Sequence, residues 1–214
     1  MKVALIGATG YVGSQLLNEA LDRGHQVTAI VRRTERLPVH PNLTPKQADI
    51  MDTDALAGLV AGHDAVMAAF NPDRTAPGDV YERMVAGARS IIEATKKSGV
   101  KRLLVVGGAG SLEIAPGQQL IDQPDFPPEW KAGAGGTKQF LYLLKEEPDL
   151  EWTFLSPAAS LEPGERTGSF RLGGDQLLVD AKGECRISTA DYAVAMIDEL
   201  EDPKHTRQRF CVAY

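Results

Sequence analysis

Apolar residues along this 214-residue chain fall into short unbroken runs that alternate with stretches repeating every three or four positions. Unbroken runs suit strands buried on both faces, and the three-four repeat suits amphipathic helices. Their alternation predicts a parallel sheet covered on both sides. Lys2 to Ile6 reads as the first strand. Tyr11 to Asp22 reads as a helix with Val12, Leu16, Leu17, Ala20 and Leu21 on one stripe, closed by Gly24. His25 to Val31 is predicted as the second strand, Leu43 to Ala48 as a weaker third, and Ala65 to Phe70 as the fourth. A helix over Thr53 to Val60 precedes that fourth strand. The longest predicted helix runs from Gly78 to Lys97 and stops at Gly99, before the strand Arg102 to Val106. Thr137 to Glu146 is the next predicted helix, ended by Pro148, and Trp152 to Leu155 the next strand.

Two regions break this rhythm. Val106 to Gly136 contains Pro116, Pro124, Pro127 and Pro128 and is too long for an ordinary strand-to-helix connection. A long loop at the carboxyl end of a parallel strand is a candidate lid. Residues after 156 are glycine-rich and mixed, with a helix near Ala190 to Glu201, and Ser188 three positions before Asp191 suits its N-cap. The expectation is one α/β domain over residues 1–214. Residues 1–156 would form a doubly wound cofactor-binding core, and 157–214 a small substrate-side extension.

Composition narrows the class of function. Hydrophobic residues make up 43% and charged residues 24%, enough apolar material for one sizeable core. A net charge of −6 offers no general basic field for a nucleic-acid backbone. Cys185 and Cys211 are too few for a disulfide framework and fit a reducing compartment. No apolar run approaches the ~20 residues of a spanning helix. The apolar start is also too short for a signal peptide. His25, His40, His63 and His205 show no metal-ligand spacing. These features predict a cytoplasmic protein, monomer or homodimer, whose partner is a small molecule and not a nucleic acid or membrane.

The chemistry begins at Gly7-Ala8-Thr9-Gly10-Tyr11-Val12-Gly13, between the first strand and the first helix. Small residues there let the backbone approach a pyrophosphate, and the helix N-terminus supplies amide donors and the positive dipole end. The third glycine allows the helix to pack close to the strand. Cofactor choice is set at the end of the second strand, where a carboxylate would hold an unphosphorylated ribose. The chain instead reads Ile30-Val31-Arg32-Arg33-Thr34. Guanidinium forks suit a 2′-phosphate, so NADP(H) is expected over NAD(H).

With Ala48-Asp49-Ile50, Val105-Val106-Gly107-Gly108-Ala109-Gly110-Ser111 and Leu155-Ser156-Pro157-Ala158 added, the chain resembles the atypical short-chain dehydrogenase/reductase group. Within it the chain is most similar to the NADH-flavin reductases, with biliverdin reductase B and the NmrA-like proteins as more distant relatives. The resemblance implies a Rossmann fold, with Thr9, Tyr11 and Val12 on the pyrophosphate and Asp49 and Ile50 beside the adenine. It implies further that Ala69 and Phe70 run beside the ribose and that Gly107, Gly108 and Ala109 flank the nicotinamide. Pro157 and Ala158 would meet the carboxamide, Ser111 would stand where the superfamily places a catalytic serine, and Lys138 would touch the cofactor ribose.

The wider superfamily's Tyr-x-x-x-Lys pair is missing, because Ala134 stands four positions before Lys138. Tyr142 follows Lys138 by one turn, in the reverse order. Reducing a carbonyl needs a placed acid for the developing oxyanion, whereas a flavin or quinone delocalises charge and takes its proton from water. The expected activity is therefore an NADPH-dependent reductase acting on FMN, another flavin or a related conjugated acceptor. Phe126, Trp130 or Phe70 would provide flat walls for it. The alternatives are a non-catalytic NADP(H) redox sensor and a sugar epimerase or dehydratase using Tyr142 as a relocated acid.

Overall fold

The computed structural model describes residues 1–73 and 79–214. In chain order the first half carries β1 (Lys2–Ile6), α1 (Gly13–Asp22), β2 (Gln26–Val31), β3 (Leu43–Gln47), α2 (Thr53–Val60), β4 (Ala65–Ala68), α3 (Val80–Ser98) and β5 (Arg102–Val106). The second half carries β6 (Glu113–Ala115), β7 (Gln118–Gln119), α4 (Pro128–Lys145), β8 (Glu151–Ser156) and β9 (Ser160–Glu162). It continues through β10 (Arg171–Gly173), β11 (Arg186–Ser188), α5 (Thr189–Glu201) and β12 (Gln208–Ala213). The predicted start of α3 at Gly78 lies outside the described residues.

Alternate strand residues point to opposite faces, and both faces are apolar. Val3 and Leu5 pack with Leu16 and Leu17 of α1 and with Ala193 and Ile197 of α5. Ala4 and Ile6 pack on the other side with Leu56 of α2, Ile91 of α3 and Phe140 and Leu144 of α4. The main sheet has the order β10-β12-β8-β5-β4-β1-β2-β3. All its pairings are parallel except β10 with β12. This is the Rossmann arrangement. The chain runs outward from β1 through β2 to β3 and then returns to β4, so a crevice opens above the carboxyl ends of β1 and β4. Pro45 is tolerated because β3 is the edge strand.

Two elements differ from expectation. α4 begins at Pro128, nine positions before the predicted Thr137, because proline is pre-organised for the first helical turn. Gly135 and Gly136 read as loop residues, yet they are where α3 presses on α4. A Cβ on Gly136 would come 2.6 Å from Met84 Cβ, so the glycine permits helix contact there. The supposed lid is a docked structure. β6 and β7 form a hairpin, and its Glu113 N–H donates to the Asp175 carbonyl at 2.9 Å while its carbonyl accepts from Leu177 N–H at 2.9 Å.

Residues after 156 also supply two strands of the main sheet. β12 pairs with β8 from Gln208 opposite Thr153 to Cys211 opposite Ser156. A separate parallel pair, β9 with β11, stands beside the crevice. α5 is capped as predicted, with Asp191 N–H donating to Ser188 Oγ at 2.9 Å.

Asp191 ties the extension down. Its carboxylate accepts from Thr167 Oγ1 at 2.5 Å, Gly168 N–H at 2.7 Å and Tyr214 OH at 2.7 Å. Burial alone would raise its pKa, but these donors outweigh burial and hold the carboxyl below its usual range. The stabilisation is therefore whole above the ordinary carboxylate pKa and is lost as pH falls through the lowered one. Asp191→Asn is expected to cost roughly 2 kcal/mol at neutral pH. It should also flatten the fall in melting temperature below about pH 4. Melting curves across that range check both.

Candidate functional site

The crevice begins at the glycine turn. Gly7 takes the left-handed conformation at φ 81°, donates its N–H to the Ile30 carbonyl at 3.0 Å and accepts from Gly10 N–H at 3.0 Å. A Cβ on Gly13 would overlap the Gly7 carbonyl oxygen, so only glycine lets α1 start this close to β1. No side chain caps α1 and no acid stands in its first turn. By contrast Asp52 caps α2 and Asp79 caps α3. An uncapped helix start behind a bare-backbone turn is a cradle for a pyrophosphate, and the residues present fit that group.

Above this cradle lies a cleft of about 420 Å³. Gly7, Thr9, Gly10, Tyr11 and Val12 form its floor. Arg32, Arg33 and Arg36 stand at one end, with Asp49, Ile50, Ala69 and Phe70 beside them. Arg32 is two-thirds exposed and lies 3.9 Å from Asp73. Asp49 accepts from Met51 N–H at 3.0 Å, which holds the loop after β3. Ser90 of α3 bonds the Ile50 carbonyl and shares a hydrogen bond with Thr53 at 2.9 Å. Phe70 lies against Gly87 of α3, where any Cβ would strike its ring.

The other end of the cleft is lined by Met84, Val106, Gly107, Thr137 and Leu161. Gly107 N–H donates to the Leu155 carbonyl at 2.8 Å, and the buried Tyr192 hydroxyl donates to the same oxygen at 2.7 Å. Burial pushes that phenol's pKa far up, so it stays a neutral donor. Tyr11 OH donates to the Leu161 carbonyl at 3.2 Å and ties the glycine turn to β9. Thr137 Oγ1 donates back to the Gly133 carbonyl at 3.0 Å.

Not every predicted site residue reaches this cleft. Gly13 acts behind the turn, Gly108 sits next to Thr137, and Pro157 and Ala158 are buried beneath the surface. Ser111 is only 2% exposed, and Arg209 Nη1 donates to both its hydroxyl and its carbonyl at 3.3 Å. That arginine arrives on β12, so Ser111 belongs to the buried contact between the loop after β5 and the sheet. Lys138, one position on from Thr137 and so about 100° around α4, is not among the residues lining the cleft. Its Nζ lies 5.8 Å from the centre of the Tyr142 ring. Tyr142 hydroxyl accepts from Gln119 Nε2 at 3.3 Å and does not line the cleft. Of the three aromatics considered as walls, Phe70 alone is in the lining, at the arginine end.

The structure adds Arg36, Met84, Thr137 and Leu161 to the cleft. Thr137 is the immediate neighbour of Lys138. Leu161 had no local signal, because β9 is placed by pairing with a strand some 25 residues later.

A family model described as NAD(P)H-binding matches residues 7–203. The uncharacterised protein YwnB of Bacillus subtilis (strain 168) is 42% identical over 215 residues, covering 99% of this chain and 98% of that one. A crystal structure from Bacteroides thetaiotaomicron, provisionally described as an epimerase, is 46% identical with a TM-score of 0.93, covering 100% of this chain and 96% of its own. One from Streptococcus pneumoniae TIGR4, provisionally described as an NADH-flavin reductase, is 37% identical with a TM-score of 0.84, covering 100% and 99%. Among the described residues no helix is long and apolar enough to cross a membrane.

Proposed function

This chain belongs to the NAD(P)H-binding family and is an oxidoreductase with a Rossmann fold, and from that premise we propose that it is an NADPH-dependent reductase whose acceptor is a flavin or a related conjugated molecule. The observation that carries this reading is the lining of the far end of the cleft. Met84, Val106, Gly107, Thr137 and Leu161 offer a mostly apolar wall with the Thr137 hydroxyl and no carboxyl, imidazole or lysine, and the Tyr11 phenol at its margin is engaged with the Leu161 carbonyl. Such a wall excludes water and orients a flat ring, and places no strong acid beside a carbonyl oxygen. NADPH, when bound, supplies the hydride. The glycine cradle and the arginine end hold its phosphates, and the apolar end aligns the two rings.

The wall also bears on the epimerase description of the Bacteroides relative. Tyr142, the relocated acid that such chemistry would use here, is engaged with Gln119 outside the cleft.

The test is direct. Protein mixed with NADPH and FMN or riboflavin is expected to consume the nicotinamide absorbance faster than a protein-free control. Arg32→Ala is expected to weaken NADPH by about tenfold, as one charge-assisted bond to a phosphate is worth, and to leave NADH unchanged. Tight NADPH binding with no turnover on any flavin or quinone would favour a redox sensor instead.

A further inference from the structure

Helix α3 passes behind the arginine end of the cleft and carries two residues that its own stability does not call for. Gly87 and Ser90 lie three positions apart, on one side of the helix, and both are buried. Glycine is disfavoured in a helix interior, and serine ranks below alanine there. Each is explained by what it meets outside the helix. A Cβ on Gly87 would overlap Cε1 of Phe70 and stand 2.8 Å from its Cζ, so the ring lies in a notch that only glycine leaves open. The Ser90 hydroxyl donates to the Ile50 carbonyl, and Thr53 Oγ1, 2.9 Å away, donates to Ser90 in turn.

Phe70 and Ile50 belong to different loops of the cleft wall. Phe70 follows β4 and Ile50 follows β3, and both line the cleft and a second groove of about 400 Å³ that continues it. The loop after β3 is braced within itself, by Met51 N–H on the Asp49 carboxylate at 3.0 Å and by Asp52 N–H on the Asp49 carbonyl at 3.1 Å. Those bonds fix its shape, and the bond from Ser90 fixes its place against α3. The ring of Phe70 is seated on the same helix one turn earlier, at Gly87. One helix therefore sets the position of both side chains.

We propose that Gly87 and Ser90 are positioning residues for the adenine half of the dinucleotide, setting the places of Phe70 and Ile50 so that a flat base fits the space these two side chains line. Neither Gly87 nor Ser90 lines the cleft or the groove, so each acts through the residue it holds. A methyl at position 87 drives the Phe70 ring off α3, and the space open to that ring is the cleft it lines. Loss of the Ser90 hydroxyl leaves the Ile50 carbonyl without its donor from α3 and frees the loop after β3 to shift. This inference rests on the reading of the cleft as a dinucleotide site and adds that α3 gauges the width of its adenine end.

The test measures binding and needs no turnover, so a failed flavin assay leaves it intact. Four ligands are titrated against wild type, Gly87→Ala and Ser90→Ala: NADPH, NADH, ADP-ribose as the adenine half and reduced nicotinamide mononucleotide as the other half. Gly87→Ala is expected to weaken NADPH, NADH and ADP-ribose alike by about tenfold, and the mononucleotide by less than about twofold. Ser90→Ala should show the same split at about threefold to fivefold, and it decides the matter if Gly87→Ala does not fold. Adding Phe70→Leu to Gly87→Ala should restore part of the loss, since the shorter side chain no longer meets the new methyl. Losses that simply add in this double variant would break the link through Phe70 and overturn the proposal. Equal weakening of all four ligands would mark a purely structural role and overturn it as well, and so would unchanged ADP-ribose affinity in both single variants. A wild type that binds neither NADPH nor NADH overturns the dinucleotide reading itself, an outcome distinct from variants that leave normal binding untouched.

Discussion

Gly7→Ala is expected to weaken NADPH and NADH alike by at least about 100-fold. A Cβ at this position would stand 2.5 Å from the Ala69 carbonyl oxygen, and the backbone sits at φ 81°, where an L side chain is strained. The strain alone is worth about 1–2 kcal/mol. Relieving the overlap requires β1 and β4 to separate at the point where the crevice opens. The amides at the start of α1 would then no longer converge on one anion. Gly24→Ala is the matching control, since Gly24 has a similar φ of 78° but nothing within 4 Å of an added Cβ. It should lose about 1 kcal/mol of stability and leave nucleotide binding unchanged. Fluorescence titration of both variants, with circular dichroism to confirm folding, checks the pair. Retained nucleotide affinity in a folded Gly7→Ala would remove the glycine turn from the binding site.

Glu199→Gln is expected to produce the largest loss of stability. The Glu199 side chain is 3% exposed and lies 3.0 Å from Arg102 Nη2. It also accepts from Thr153 Oγ1 at 3.2 Å, from His205 N–H at 2.9 Å and Nδ1 at 2.8 Å, and from Lys204 N–H at 3.1 Å. Burial would raise this carboxyl, but His205 and the two backbone N–H groups prevail and hold it below its usual range. Its contribution is accordingly present above the ordinary carboxylate pKa and lost as pH falls. Removing the charge leaves the buried Arg102 uncompensated, which costs about 3–5 kcal/mol. For a chain this size that is roughly a 10 °C drop in melting temperature. Lys97→Ala, which breaks exposed pairs with Asp54 and Glu93, should change stability by less than about 1 kcal/mol. A Glu199→Gln melting temperature within about 2 °C of wild type would show that Arg102 finds another acceptor.

Local readability varied along the chain for physical reasons. β1, α2 and β5 have the predicted bounds, because each is a short apolar or capped segment with clear punctuation. The glycine turn and Arg32 are legible for the same reason, since their places after β1 and β2 depend on immediate neighbours. The first nine residues of α4 carry little helical signal because their glycines answer to α3, not to helix propensity. The resemblance implies a catalytic-type position for Ser111 and a ribose contact for Lys138, and neither residue lines the cleft.

Hydrophobic period and glycine spacing are enough to specify a doubly wound sheet, its crevice above β1 and β4, and a glycine turn with arginines beside it in the cleft lining. Those features follow from contacts within a few residues or between consecutive elements. Tertiary packing decided which side chains wall the other end. β12 brought Arg209 to Ser111, β11 placed Leu161 through β9, and the turn of α4 exposed Thr137 in place of Lys138.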